Sequence, residues 1–443
     1  MAGTGGSSAS GGSTGASGSI GTGGSSGAGG VNIGTGGSSS GGAGQGSGGS
    51  SVRDAGVAGA GGTAAGAGGS GSPPSDAAVV GPNPCIEAGN CALGTWTEVT
   101  PTGVDLTNAL DCSNFGTQSM QVDPVHPSDF YTLFMCQGIW KSTDYGQTWK
   151  GPINTGTQGA AVGDCAGGIS MPPKSTATNT TVYEACIRGN GLGFWRSTNG
   201  GVDWTKYNVA PGGQRQDFYP PVVDPYDINH LLMAGHEMNV LVESADGGQS
   251  WTNVTTDPGM AENGGTAGIF FIDTGSAATT KKTFLWLAQQ SDVFGTWRTT
   301  NDGATWIRVD KNEHLHGNSQ IFQPDTSGVV FMAGVYSTLG WGALRSTDYG
   351  ATWTHEGKTG SENVAFGTNK FVYVMSSGAA GLSATADPSF QAAPLPGTGT
   401  WVSPGTPAAM KQGAAQAAIS NDGTHNVIVT ANWGAGLWRY VEP

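Results

Sequence analysis

The chain has 443 residues, a formal net charge of −14 and no apolar run of the length that a membrane-spanning helix needs. An acidic surface repels phosphate groups, which argues against nucleic acids and anionic membranes as partners. The sequence therefore predicts no nucleic-acid partner and no transmembrane helix.

The N-terminal segment differs in composition from the rest of the chain. Residues 1–80 are almost entirely Gly, Ser, Ala and Thr, and the first Phe, Trp or Tyr is Trp96. A segment without large apolar groups cannot bury enough surface to offset the entropy of ordering it. We therefore predict that residues 1–80 are a disordered, flexible tether and that residues 85–443 form the folded domain.

The cysteines and the tether bear on location. The six cysteines lack the CxxC spacing of a zinc site, so disulfides and an oxidising compartment are favoured. The tether resembles those that follow the lipidated cysteine of bacterial surface lipoproteins. We predict a secreted or cell-surface protein. No signal peptide is visible in the sequence, so either the true N-terminus lies upstream or the protein is cytosolic with an unusual tail.

An octapeptide repeat, Ser/Thr-x-Asp/Asn-x-Gly-x-x-Trp, occurs five times, with its Asp or Asn positions separated by 55, 47, 55 and 47 residues. Its chemistry is that of a turn. The Asp or Asn side chain bonds forward to the turn backbone, Gly takes the positive φ, and Trp enters the next strand. We predict a structural role for the five repeat positions, Asp144, Asn199, Asp246, Asn301 and Asp348.

Strand-like runs flank each repeat, such as residues 131–135 and 138–141 before the first. With an innermost strand added, each unit predicts a four-stranded antiparallel sheet, and radial repetition of such sheets is a β-propeller. Two further units lack a complete repeat, one from residue 371 to Trp401 with a degenerate repeat at 383–385, and one from residue 427 to 440. The fold class is therefore all-β, a seven-bladed β-propeller, and we expect the strand at 95–100 to close the ring.

The octapeptide repeat resembles the Asp box, or BNR repeat, of sialidases, xyloglucanases and related reducing-end cellobiohydrolases, sortilin-type receptors and photosystem II assembly factors. The resemblance covers nearly all of residues 96–440 and implies the propeller fold, whereas these families differ in function. It also implies that ligands bind on the face opposite the repeat turns.

That face collects carboxylates, histidines, arginines and aromatic rings, which suit neutral sugars because sugars stack on rings and hydrogen-bond at their edges. The candidate catalytic carboxylates are Asp217, Glu237, Glu262, Asp292 and Glu313. The candidate ligand-binding residues are Arg188, Arg215, Tyr219, His236, His314, His316, Tyr336, Trp341 and Trp433. Trp341 and Trp433 also suit inter-blade packing, and His236 with Glu237 also suits a loop hydrogen-bond pair. The spacing of His314 and His316 can chelate a metal, but no third ligand is identified, so no metal and no cofactor are predicted.

Two further sets of residues are predicted to be structural. Basic residues directly precede four of the repeats: Lys141, Arg196, Arg298 and Arg345. The cysteines fall at equivalent blade positions, which predicts the disulfides Cys112–Cys136 and Cys165–Cys186 and leaves Cys85–Cys91 as a small loop.

Several functions remain open. A monomeric, non-catalytic propeller that recognises an extracellular glycan or polysaccharide, or a protein, is favoured because no catalytic signature is complete. For a xyloglucanase-like glycoside hydrolase, the resemblance implies paired carboxylates in a cleft between two propellers. Only one propeller is predicted, and an Asp-Val-Gly-Gly motif is absent. For a sialidase it implies three arginines and a Phe/Tyr-Arg-Ile-Pro motif, but only Arg188 and Arg215 lie on the candidate face and the motif is absent. An assembly or scaffold role has no evident basic surface in this acidic chain.

Overall fold

The structure is a computed structural model. It describes residues 92–107, 115–173, 176–209, 216–236, 238, 240–254, 266–288, 295–311, 320–333, 343–356, 362–376, 389–410 and 414–443. These residues belong to one compact unit, Pro74–Pro443. They contain two short helices, Gly159–Gly163 and Ala277–Thr280, and neither is long or apolar enough to cross a membrane. The predicted tether and Cys85 and Cys91 lie outside the described residues.

The strands form seven antiparallel sheets, which are the blades of a β-propeller, so the predicted fold class is confirmed. Blades 1 to 3 follow one another along the chain. Blade 1 contains β2 (Thr117–Val122), β3 (Phe130–Phe134) and β4 (Gly138–Ser142); blade 2 contains β5 (Ala166–Ser170), β6 (Val182–Arg188), β7 (Gly193–Ser197) and β8 (Thr205–Tyr207); blade 3 contains β9 (Val222–Asp224), β10 (Asp227–Ala234), β11 (Leu241–Ser244) and β12 (Thr252–Asn253).

Blades 4 to 7 continue the same order. Blade 4 contains β13 (Thr266–Phe271), β14 (Phe284–Ala288), β15 (Gly295–Thr299) and β16 (Ile307–Asp310); blade 5 contains β17 (Val330–Ala333), β18 (Ala343–Ser346) and β19 (Thr354–Glu356); blade 6 contains β20 (Glu362–Gly367), β21 (Phe371–Ser376) and β22 (Ser389–Pro394); blade 7 contains β23 (Gln416–Asn421), β24 (Asn426–Ala431), β25 (Leu437–Val441) and β1 (Trp96–Glu98). Blades 1, 5 and 6 have three regular strands, and an antiparallel bridge supplies the fourth position in each: Lys141 with Lys150, Phe322 with Phe331, and Ala392 with Val402.

Blade 7 joins the two ends of the propeller. Strand β1 pairs antiparallel with β25, with Trp96 opposite Tyr440. The backbone amide of Leu437 also donates to Thr100 Oγ1 at 2.9 Å. This pairing places an early strand on the outer edge of the last blade and covers an edge that would otherwise be open.

The octapeptide repeats form tight turns that are saturated with hydrogen bonds, as blade 3 illustrates. Ser244 Oγ donates to Asp246 Oδ1 at 2.8 Å and accepts from the amide of Gly248 at 2.9 Å. Asp246 also accepts from the backbone and hydroxyl of Ser250. Burial works in the opposite direction, but these hydrogen bonds lower the pKa of Asp246 to about 2. Gly248 has a φ of 87°, which favours glycine because other residues are strained there.

The tryptophan that ends each repeat packs between blades. Trp251 of blade 3 contacts Phe194 of blade 2 edge to face, with ring centroids 5.2 Å apart. Its Nε1 donates to the carbonyl of Gly248 at 3.0 Å, so the polar end of a buried ring is satisfied within its own turn. The repeat therefore fixes a turn and supplies part of the inter-blade core with the same eight residues.

Arginines form what we call the inter-blade clamp, in which the side chain on the third strand of one blade donates to a backbone carbonyl of the next blade. The four clamp bonds are Arg196 Nη1 to Gly247 O (2.7 Å), Arg298 Nε to Tyr349 O (2.7 Å), Arg345 Nε to Pro396 O (2.8 Å) and Arg439 Nε to Tyr145 O (2.8 Å). Arg439 was not among the predicted structural cations. Lys141, which was predicted to be structural, forms an ion pair with Asp129 at 2.7 Å.

Blade 3 departs from this pattern because Glu243 occupies the clamp position and cannot donate a hydrogen bond. Its Oε1 lies 2.7 Å from Nε2 of His230, whose Nδ1 lies 2.9 Å from Asp224 Oδ2. Burial alone would lower the pKa of His230, but the hydrogen bonds to Asp224 and Glu243 outweigh it and raise this pKa to about 9. A charged imidazole between two carboxylates thus ties β10 to β9 and β11.

This arrangement predicts a stability that depends on pH. Because the folded-state pKa of His230 is raised, its contribution is complete below the unfolded pKa and is lost as pH rises through about 9. The Glu243 side chain is 24% exposed, which weakens the ion pair. We expect the difference in free energy of unfolding between the wild type and His230→Gln to fall by about 2 kcal/mol between about pH 6 and pH 9.5. Glu243→Gln should retain about half of this pH dependence, and an equal difference at both pH values would contradict the assignment.

Candidate functional site

Three of the predicted site residues meet at one end of blade 3. We call this end of the propeller, which carries residues 115–117, 217–219, 235–236 and 432–433, the loop face. His236 Nδ1 lies 2.9 Å from Asp217 Oδ1, and the His236 backbone amide donates to the Asp217 carbonyl at 2.9 Å. The Tyr219 ring meets the His236 ring edge to face at 5.3 Å. Asp217, Tyr219 and His236 therefore form one cluster, the loop-face triad.

Local pairing explains why these residues meet. The backbone amide of Tyr219 donates to the carbonyl of Ala234, and Phe218 forms an antiparallel bridge with Gly235. The segment entering blade 3 is thus paired with the end of β10, which sets Asp217 opposite His236. An ionised carboxylate accepts only, so Nδ1 of His236 donates to Asp217 and the bond fixes the imidazole tautomer.

Packing holds the loop-face triad in one arrangement. The exposed fractions of Asp217, His236 and Tyr219 are 7%, 8% and 3%. Buried, mutually bonded side chains need little reordering when a ligand contacts them, which favours binding. Tyr219 also lines a cavity of about 280 Å³ on the propeller axis, so the triad borders space that a ligand can enter.

The other described candidates on the loop face are engaged in structural contacts. The guanidinium of Arg188 lies over the ring of Phe115 at 5.6 Å from its centroid. The Trp433 side chain is 3% exposed, and its backbone forms hydrogen bonds in both directions with Thr117. Trp433 is thus buried where blade 7 meets blade 1, which favours the packing alternative considered for it above.

The remaining candidates fall outside the described residues. They are the carboxylates Glu237, Glu262, Asp292 and Glu313, the basic residues Arg215, His314 and His316, and the aromatic residues Tyr336 and Trp341. Their roles remain predictions. Asp217 is therefore the one catalytic candidate whose surroundings the described part of the chain reveals.

A disulfide lies near the loop face in blade 2. Cys165 and Cys186 are bonded, with Cα atoms 5.5 Å apart. The backbone amide of Cys136 donates to the Cys165 carbonyl at 2.8 Å, which links blade 1 to this disulfide. Cys136 is also disulfide-bonded, and its predicted partner Cys112 lies outside the described residues.

Glu184 of β6 is buried beside this disulfide. It is 0% exposed, and neither carboxyl oxygen has a hydrogen-bond partner among the described residues. Burial raises the pKa of Glu184 well above its ordinary value. One oxygen lies within 4.8 Å of the sulfur atoms of Cys165 and Cys186. Since both sulfurs are used in the disulfide, they offer no thiolate to a metal ion.

Asp123, His126 and Asp129 of blade 1 also bring ligand atoms within 4.8 Å of one another. Thr180 donates to Asp123 at 2.7 Å, and Lys141 pairs with Asp129 at 2.7 Å. These contacts give the group a structural role in joining strands and blades.

Comparison with known proteins gives weak sequence similarity to xyloglucanases. A probable oligoxyloglucan-reducing end-specific xyloglucanase of Neosartorya fischeri is 24% identical over 197 residues, which is 42% of this chain and 21% of that protein. A xyloglucanase of Acetivibrio thermocellus is 30% identical over 130 residues, which is 26% of this chain and 15% of that protein. The matched segments thus span about a fifth or less of these relatives. No family model matches the chain.

Solved structures resemble the propeller itself. The GH74 enzyme of Niastella koreensis superposes with a TM-score of 0.53 at 16% identity, covering 75% of this chain and 54% of that one. The GH74 xyloglucanase of Xanthomonas campestris superposes with a TM-score of 0.52 at 15% identity, covering 78% and 53%. At this level of identity the superpositions show a shared fold. The chain is therefore a seven-bladed propeller with weak similarity to part of the xyloglucanases.

Proposed function

We propose that this chain is an Asp-box propeller, secreted or tethered to the cell surface by residues 1–80, that binds a neutral extracellular polysaccharide on its loop face without cleaving it. The observation that carries this proposal is the loop-face triad of Asp217, Tyr219 and His236, fixed by hydrogen bonds beside the axial cavity. This triad, with Tyr219 in the cavity wall, supplies hydrogen-bonding groups and apolar contact, the two interactions that recognise sugars. Xyloglucan is the first ligand to test because both sequence relatives are named xyloglucanases.

The surroundings of Asp217 favour binding over hydrolysis. Inverting hydrolysis uses two carboxyl groups roughly 6.5–9.5 Å apart on either side of the scissile bond. The described carboxylate of Asp217 is instead bonded to His236, and the residue is 7% exposed. The matched segments also cover only 21% and 15% of the named enzymes, so their activity does not transfer with the similarity.

Glycoside hydrolysis is the second candidate. A carboxylate hydrogen-bonded to an imidazole can serve in acid–base catalysis, and the relatives are named as hydrolases. In that case Asp217 would act with one of the other predicted carboxylates. Both candidate functions use the loop face, but only hydrolysis produces new reducing ends.

The test is affinity electrophoresis of the full chain in gels containing xyloglucan, run beside a reducing-end assay on the same polysaccharide. We expect retardation without release of reducing ends. His236→Ala should weaken retardation at least ~10-fold, because the loss of one hydrogen bond from the imidazole to the ligand amounts to about 1.4 kcal/mol.

His126→Ala is the matched control, since His126 also pairs with an aspartate but is exposed at the repeat-turn end of blade 1. It should leave retardation unchanged. Release of reducing ends that Asp217→Asn abolishes would replace the binding proposal with hydrolysis. Absence of both retardation and release across neutral polysaccharides would refute carbohydrate recognition and leave a protein-binding scaffold as the function to test.

A further inference from the structure

Three glutamines from different blades line the axial cavity: Gln320 of blade 5, Gln416 of blade 7 and Gln121 of blade 1. Their hydrogen bonds fix the orientation of each side-chain amide. Gln416 Oε1 accepts from the backbone amide of Met120 at 3.0 Å and from Gln121 Nε2 at 3.2 Å. Gln320 Oε1 accepts from the backbone amide of Ala417 at 2.7 Å. We call these three residues the amide arc.

The fixed orientations leave a defined set of groups for a ligand. The oxygens of Gln320 and Gln416 accept from backbone amides, so within the described part of the chain their Nε2 groups are the donors that remain. Gln121 uses its nitrogen on Gln416, so its oxygen is the acceptor that remains. The amide arc therefore presents two amide nitrogens that donate and one amide oxygen that accepts, held in place by bonds that join blade 7 to blade 1 and blade 5 to blade 7.

The other side of the cavity is mostly apolar, with Ser170 of blade 2 as its polar exception. Blades 2, 3 and 4 contribute Met171, Pro220, Pro221, Val222 and Phe270, which we call the apolar arc. In ring order these blades lie across the axis from the blades of the amide arc. Every described lining residue is uncharged, so the cavity matches a neutral ligand with one polar edge and one apolar face.

We propose that the axial cavity is a subsite for one neutral pyranose unit, with its hydroxyl edge on the amide arc and its C–H face on the apolar arc. The proposal rests on the proposed function, because Tyr219 belongs to the loop-face triad and also lines the cavity. The cavity volume of about 280 Å³ lies just below the usual range for ligand pockets, which begins at roughly 300 Å³. A cavity of this size suits a single ring unit.

The donor and acceptor set favours a sugar over a proline-rich peptide. A hydroxyl group both donates and accepts, so a pyranose edge can satisfy the two Nε2 donors and the Gln121 oxygen together. A proline-rich segment offers carbonyl acceptors but lacks the backbone N–H that the Gln121 oxygen needs. The peptide is therefore an alternative outcome of the test.

The experiment is saturation-transfer NMR with affinity titration of the full chain against D-glucose, D-xylose and D-galactose, followed by xyloglucan. Gln416→Glu keeps an oxygen that can accept from Met120 but replaces the remaining donor with an acceptor. Val222→Trp fills the cavity from the apolar arc and leaves the amide arc unchanged. Each is expected to weaken monosaccharide binding at least ~10-fold, the effect of about one hydrogen bond or one excluded ring.

Gln249→Glu is the matched control, because it makes the same change on an exposed repeat turn of blade 3. It should bind like the wild type, and circular dichroism should show that all variants fold. If Gln416→Glu alone fails to fold, Val222→Trp still decides the question.

Three results would overturn the subsite. In the first, xyloglucan binds through His236 while both cavity variants bind all sugars like the wild type; the proposed function then stands and the subsite falls. In the second, the wild type binds no sugar, and both fall. In the third, poly-L-proline binds and the monosaccharides do not.

Discussion

Replacing Glu442 with alanine is expected to lower the free energy of unfolding by about 4 kcal/mol. Glu442 is 1% exposed and is a hydrogen-bond acceptor for three side chains. Tyr373 and Thr368 donate to its Oε1 at 2.6 and 2.8 Å, and Asn426 donates to its Oε2 at 2.7 Å. Alanine would leave all three donors without this acceptor between blades 6 and 7, and the measurement is equilibrium unfolding in guanidinium chloride.

Glu442→Gln keeps the size of the side chain and changes its hydrogen bonds, so it separates the two contributions to stability. The glutamine oxygen can still accept from Tyr373 and Thr368, but its amide nitrogen would face the Asn426 donor. We expect a loss of about 1–2 kcal/mol for this variant. If Glu442→Ala lowers the free energy of unfolding by less than about 1 kcal/mol, the buried carboxylate does not stabilise the contact between blades 6 and 7.

Removing the guanidinium of Arg439 should cost about 3 kcal/mol in the free energy of unfolding. This clamp bond joins blade 7 to the first repeat turn, and Arg439 is 7% exposed. Burial lowers the pKa of Arg439, while the charges of Asp144 and Asp422 act in the opposite direction. Arg439→Met keeps the apolar stem but leaves the carbonyl of Tyr145 without its charged donor. Urea unfolding monitored by tryptophan fluorescence measures the change.

Arg345→Met provides the comparison, because the same type of clamp bond to Pro396 lies in exposed surroundings. Water can replace a donor that is lost at the surface, so this variant should lose at most about 1 kcal/mol. Equal losses in the two variants would mean that burial does not set the strength of the clamp.

The octapeptide repeat made the fold predictable from the sequence because each of its positions has a local physical reason. A second set of turn residues carries no such signature in the sequence. Five aspartates where the first strand of a blade turns into the second each accept from the backbone amide two residues further on: Asp123, Asp224, Asp273, Asp325 and Asp422. A single aspartate in a turn has no fixed neighbours, so its recurrence becomes visible only when the strands are aligned in space.

The candidate site was predictable in part. Strand order placed Asp217, Tyr219 and His236 at one end of the propeller, but their contacts depend on the pairing of residue 218 with 235, which local sequence does not encode. The position of the Trp433 backbone depends on Thr117 of blade 1 in the same way. The amide arc was missed because an isolated glutamine in a strand carries no signature. Its orientation arises only where three distant strands converge on the axis.

The closed ring has a consequence for biosynthesis. The bond between the amide of Leu437 and Thr100 joins residues 337 positions apart, and among the described strands β1 pairs with β25 alone. A nascent chain leaving the ribosome can form blades 1 to 6 in turn, but its earliest strand must wait unpaired until the last blade is synthesised. Loop closure over this span slows the final step, so the unpaired outer edge of blade 7 and the waiting strand are the surfaces that a chaperone would need to shield.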